Sequence, residues 1–92
     1  MYVLMAKHLV EDLKHWFKFY NSASAQDVRA QMNIIAHSIL TNHVIKNEVV
    51  VMHHFKSLDD LEAFLELPSF IDALPKMGVV PPVQFTIYET LP

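Results

Sequence analysis

Six histidines stand in a chain of 92 residues that has no cysteine. The groups able to move a proton near pH 7 are therefore the imidazoles of His8, His15, His37, His43, His53 and His54. The lack of cysteine removes thiolate nucleophiles, Cys-ligated zinc, iron–sulfur clusters and disulfides. A single glycine cannot build a phosphate-cradling loop, and no Ser-His-Asp or paired-carboxylate motif can be located. His15, beside Trp16, and His43, in a polar connector, read as solvated. The other four fall in strand-like segments, where adjacent side chains point to opposite faces, so only one of His53 and His54 can enter a given cavity. His53 is the one predicted to do so, because it shares a face with Val51 and Phe55. His8 and His37 lie on strands expected to neighbour it. A convergence of His8, His37 and His53 would make either a hydrogen-bonded cavity wall or a three-His metal site. No H-x-x-x-H pair or nearby carboxylate motif supports the metal, so none is expected.

These side chains need elements to hold them. Tyr2 to Val10 has the length and β-branched or aromatic content of a strand, and Glu11-Asp12 opens a helix. Leu13, Trp16, Phe17 and Tyr20 follow the spacing of one apolar helical stripe and read as core. Asn21 to Ala25 weakens the pattern, and Asp27 to Met32 forms a second helical piece ending at Asn33, which can adopt the left-handed conformation. Arg29 could bind a ligand carboxylate or phosphate, although a salt bridge with Asp27 or Glu48, or a helix-end role, is the preferred reading. Ile34 to Leu40 and Glu48 to Phe55 are strands joined across Thr41 to Asn47 as an antiparallel hairpin. Ser57 caps a helix that carries Leu58, Leu61, Phe64 and Leu65 inward, while Asp59, Asp60, Glu62 and Glu66 form a solvated face. Pro68 predicts a break, Ser69 to Leu74 a further turn, and Pro75 with Gly78 a stop. Pro81-Pro82 ends the loop. Val83, Phe85 and Ile87 then alternate with Gln84, Thr86 and Tyr88 in the period of a strand.

The order β-α-β-β-α-β implies an α+β fold of ferredoxin-like type: one domain, residues 1–92, with a four-stranded antiparallel sheet and both helices on one face. Its other face is then bare. Hydrophobic residues make up 52% of the chain, above the usual apolar share, and Val49 to Met52 is apolar at successive positions, so both faces of that strand need cover. A second copy packed sheet to sheet would supply it, giving a homodimer with an apolar cavity between the sheets. A net charge of -3 without a basic face argues against nucleic acid. No apolar run approaches the length of a membrane span, and MYVLMAKHLV reads as a strand rather than a signal segment, so a soluble cytoplasmic protein is expected.

The chain resembles the dimeric α/β-barrel proteins related to antibiotic-biosynthesis monooxygenases, particularly their small cyclase-like members. Lys7-His8-Leu9-Val10 matches a strand ending in a basic residue, His and Val; Glu11-Asp12 with Trp16 matches an acidic helix start followed by Trp; and Arg29 falls shortly before the second strand. Asn47 to Val51, Phe55 with Ser57-Leu58-Asp59, and Gly78-Val79-Val80 continue the pattern. Phe55 stands where a Trp commonly closes the third strand, Asn33 replaces the usual Gly, and Leu74 occupies the position of the iron-ligating His of haem-degrading relatives. Haem degradation by that mechanism is therefore not expected, and no cofactor is. The resemblance implies a cyclase or cofactor-free monooxygenase acting on a small aromatic or polyketide-like molecule. His53 or His8 would be the catalytic base, with His37, Val51, Phe55 and Tyr88 around the ligand and Tyr88 or another polar group holding an oxyanion. The alternatives are a non-catalytic carrier of a small apolar molecule and a structural dimerisation module.

Overall fold

The alternating apolar residues become four strands and each helical stretch divides in two in the computed structural model, which describes Met1–Pro92. The order is β1 (Tyr2–Val10), α1 (Leu13–Tyr20), α2 (Ala23–Gln31), β2 (Ala36–Thr41), β3 (Glu48–Phe55), α3 (Leu58–Leu65), α4 (Pro68–Lys76) and β4 (Val79–Glu89). The strands form one antiparallel sheet in the order β2-β3-β1-β4. This is the expected ferredoxin-like fold, elaborated to βααββααβ.

Local chemistry accounts for the divisions. The Asp12 carboxylate accepts from the Lys14 and His15 amides and starts α1, while Ser22 Oγ accepts from the Ala25 amide and starts α2. The second helical piece therefore begins four residues before Asp27, at a serine cap inside the stretch expected to be irregular. Ser57 caps α3 through the Asp60 amide, as its sequence context predicts. Pro68 occupies the first turn of α4, where its missing N–H is harmless, and the helix runs on through Pro75 to Lys76. Asn33 takes φ 61°, the left-handed conformation expected of it, and Asn47 takes φ 64°.

The last strand departs most from expectation. It begins at Val79 and includes Pro81-Pro82, which an edge strand tolerates because one side of its backbone has no ladder to break. Lys7 pairs with Gln84 but Leu9 pairs with Val80, so the diproline segment bulges opposite His8.

Register decides which side chains meet the helices. Leu4 lies opposite His53, Ala6 opposite Val51 and His8 opposite Val49; His37 lies opposite His53 on the other flank of β3. Along β3, Val49, Val51, His53 and Phe55 are buried, and Val50, Met52 and His54 between them are half-buried. The helix side holds two clusters, one of Val10, Trp16, Tyr20, Val49, Val51 and Met77, the other of Leu4, Phe55, Leu61 and Phe64. Phe17, assigned to the core by its spacing, is 49% exposed, and Phe19 packs on the Trp16 cluster in its place. The opposite face of the sheet carries Met5, Val50, Met52 and Tyr88, with no helix over it. No helix is long and apolar enough to cross a membrane.

Candidate active site

Ala6 is the smallest side chain in the helix-facing row of β1, between Leu4 and His8, and its partners across the sheet are Val51 and Phe85. The space left above it is a pocket of about 370 Å³ between the sheet and the helices, within the range of small-molecule sites. Its floor is Leu4, Ala6, His8, Val51, His53, Val83 and Phe85; α1 adds Trp16, Phe19 and Tyr20, α2 adds Arg29, and α4 adds Phe70, Ala73 and Lys76. Fifteen of its 22 lining residues are hydrophobic, so the few polar groups must set a ligand's orientation.

The pocket that His53 enters lies on the helix side of the sheet, not on the face where a second sheet was expected, because the odd-numbered residues of β3 turn towards the helices. His8, His53 and Val51 line it. His37 reaches it through Tyr20. Phe55 is fully buried in the Leu4, Leu61 and Phe64 cluster beneath the pocket rather than on its wall. Tyr88 does not join the others: it pairs with Val3 on the opposite face and is 52% exposed. Even-numbered residues of β4 point away from the helices, so Tyr88 cannot hold an anion in this pocket.

His8 is the most unusual wall residue. It is 6% exposed, and neither ring nitrogen has a hydrogen-bond partner in the protein. Its nearest aromatic neighbour is Trp16, with ring centroids 6.0 Å apart. Burial lowers its pKa, so the ring is neutral at pH 7 and offers one N–H donor and one lone pair.

His53 is equally buried but is held. The Tyr20 hydroxyl lies 3.0 Å from His53 Nε2 and 2.8 Å from His37 Nδ1. Tyr20 stacks on Trp16 with centroids 5.1 Å apart and nearly parallel to His53 at 6.2 Å, while the edge of Phe64 closes the far side of His53. Burial, with smaller contributions from Arg29, His37 and His54, pushes the His53 pKa down to about 3. His37, on the exposed edge of β2, is lowered by burial and by Arg29. The Arg29 guanidinium lies 3.9 Å above the Tyr20 ring. Burial lowers its pKa and only Tyr20 raises it, so the ion pair expected with Asp27 or Glu48 gives way to a cation–π contact. The same guanidinium tempers the rise that burial causes in the Tyr20 pKa.

Tyr20 was legible in the sequence only as a core aromatic. The available signal was its hydroxyl, which needs a partner once buried. His15 Nε2–H donates to the Lys76 carbonyl oxygen at 2.9 Å on the surface, and His43 is exposed. No three or more His, Asp or Glu side chains have metal-binding spacing.

No protein-family model matches the chain, and no curated protein sequence does. Solved structures do match. A protein from Deinococcus radiodurans provisionally assigned as an antibiotic biosynthesis monooxygenase superposes with a TM-score of 0.71 at 20% identity, over 100% of this chain and 94% of that one. SnoaB, a cofactor-independent oxygenase from Streptomyces nogalater, gives 0.76 at 12% identity, over 99% and 93%. A conserved protein from Methanosarcina mazei gives 0.75 at 13% identity, over 98% and 92%. The chain therefore has the ferredoxin-like fold seen in solved structures of antibiotic biosynthesis monooxygenases.

Proposed function

We propose that this chain is a cofactor-free oxygenase or cyclase of a flat aromatic or polyketide-like molecule, bound in the pocket between helices and sheet. The observation that carries the reading is His8, whose two ring nitrogens are buried on the wall of an apolar pocket without a protein partner. An unsatisfied buried polar group costs about 1 to 3 kcal/mol, which a ligand hydroxyl or carbonyl would offset. His8 then orients the ligand and His53 removes a proton from it. Arg29, in place of Tyr88, stabilises the resulting anion from the pocket wall. Such a carbanion can pass electrons directly to dioxygen: a CH2 flanked by aromatic rings becomes a carbonyl, one oxygen atom enters the product and the other leaves as water. The likeness to a cofactor-independent oxygenase supports this chemistry as an analogy of fold.

The test uses anthrone in air-saturated buffer, followed by its conversion to anthraquinone. Catalysed conversion that falls at least tenfold in His8→Leu is expected. Tight binding with no conversion above the buffer rate would make the chain a carrier, and neither binding nor conversion would refute the assignment of ligand class.

The protein also works, in this proposal, as a homodimer packed through the bare sheet face. Met5, Val50 and Met52 form an apolar strip there, flanked by Leu40 and Leu9, which are 49% and 43% exposed. A face of that composition is stable in water when a second sheet covers it.

A further inference from the structure

We propose that His37, Tyr20 and His53 form a proton relay between the pocket and solvent, in which buried His53 exchanges a proton with the ligand while exposed His37 carries the resulting charge. It rests on the reading of the pocket as a site of proton chemistry.

The Tyr20 hydroxyl has a single proton but sits within bonding distance of nitrogens on both sides, His37 Nδ1 at 2.8 Å and His53 Nε2 at 3.0 Å. Both contacts are hydrogen bonds only if one imidazole donates to the oxygen and the other accepts from it. Two arrangements satisfy this. In the first, His53 Nε2–H donates to Tyr20, Tyr20 O–H donates to His37 Nδ1, and His53 Nδ1 holds a free lone pair. In the second, every bond is reversed: His37 Nδ1–H donates to Tyr20, Tyr20 O–H donates to His53 Nε2, and the proton of His53 sits on Nδ1.

Passing from the first to the second moves one proton. A ligand C–H or O–H bond breaks and its proton forms an N–H bond at His53 Nδ1. The Nε2 proton shifts to the Tyr20 oxygen, the hydroxyl proton shifts to His37 Nδ1, and His37 releases its Nε2 proton to water. The ligand is left as an anion and no net charge remains on His53 or Tyr20. Running backwards, the chain delivers a proton from solvent to the pocket, so the same residues serve as base and then as acid.

This resolves a difficulty in the site. A histidine that resists holding a positive charge in its buried position is a weak base on its own, yet here the charge never has to rest on it. His37 can bear it because β2 is the edge of the sheet and His37 is exposed there. The charged and titratable groups facing the chain are Arg29 from α2, His8 from β1, His54 on the far face of β3, and Asp72 with Lys76 from α4 across the pocket. Arg29, over the Tyr20 ring, disfavours a lasting cation on either histidine, which favours transfer over storage.

The experiment needs no ligand. Nitrogen NMR of the ligand-free, histidine-labelled protein between pH 8 and pH 5 follows both ring nitrogens of His53. Protonating His37 commits its Nδ1–H to Tyr20 and forces His53 into the Nδ1–H tautomer. The two His53 nitrogens should therefore move in opposite directions as His37 titrates, below the ordinary histidine value of 6.5. Direct protonation of His53 would instead move both towards the imidazolium position. Tyr20→Phe removes the bridge and keeps the ring, and His37→Gln keeps a hydrogen-bonding group that does not titrate; each should abolish the opposed shifts. Invariant His53 nitrogens in the wild type, or opposed shifts that survive in either variant, would overturn the relay. Failure of anthrone oxidation with the opposed shifts intact would count against the proposed reaction and leave the relay standing.

Discussion

Acid should destabilise this protein through His53 in particular. The ring is 6% exposed, and its pKa falls from 6.5 to about 3 on folding. Between those values the unfolded chain binds a proton that the native chain does not, so stability rises with pH. The contribution is fully present above pH 6.5 and is lost as pH falls from 6.5 towards 3. One proton is worth about 1.4 kcal/mol per pH unit, so lowering the pH from 6.5 to 5 should remove about 2 kcal/mol. That is a large share of the roughly 5 to 14 kcal/mol expected of a domain this size. His8, also lowered by burial, adds to the loss in the same direction. Urea unfolding at fixed protein concentration and several pH values between 7.5 and 5 measures the slope. His53→Gln keeps a partner for the Tyr20 hydroxyl but does not titrate, so its slope should be smaller by close to one proton. A wild-type stability that is flat from pH 7.5 to 5, or a slope unchanged in His53→Gln, would refute the reasoning.

Two other substitutions probe the pocket and the bare face. His8→Leu exchanges two unpartnered nitrogens for apolar atoms of similar bulk, so it should raise stability by about 1 kcal/mol in urea unfolding; a loss of that size would show the nitrogens to be satisfied in the folded protein. Met52→Asp should give a monomeric mass by light scattering, whereas Val51→Asp should unfold the chain, because it places a carboxylate under the helices at a cost of several kcal/mol. A wild-type mass for Met52→Asp would remove the sheet-to-sheet dimer.

The division between sequence and tertiary structure follows from the range of each interaction. Strand and helix identities, the Ser57 cap, the left-handed Asn33 and the ferredoxin-like order were legible because period, capping and turn chemistry act over a few residues. The Ser22 cap was equally local, but its short polar context resembles a loop. Inclusion of Pro81-Pro82 in β4 could not be read, since whether a proline breaks a ladder depends on the strand being at an edge, which topology decides.

The sequence by itself determined that His53, Val51 and Phe55 share one face of a strand and that His54 takes the other. It could not say which face meets the helices, because alternation is symmetric until the sheet is packed. Packing turned His53 inward, put Tyr88 outside, hid Phe55 below the pocket and left a space over Ala6. The meeting of His37, Tyr20 and His53 belongs to the tertiary structure alone. Tyr20 comes from α1, His37 from β2 and His53 from β3, and no local pattern records that a hydroxyl on a helix will fall between nitrogens on two neighbouring strands.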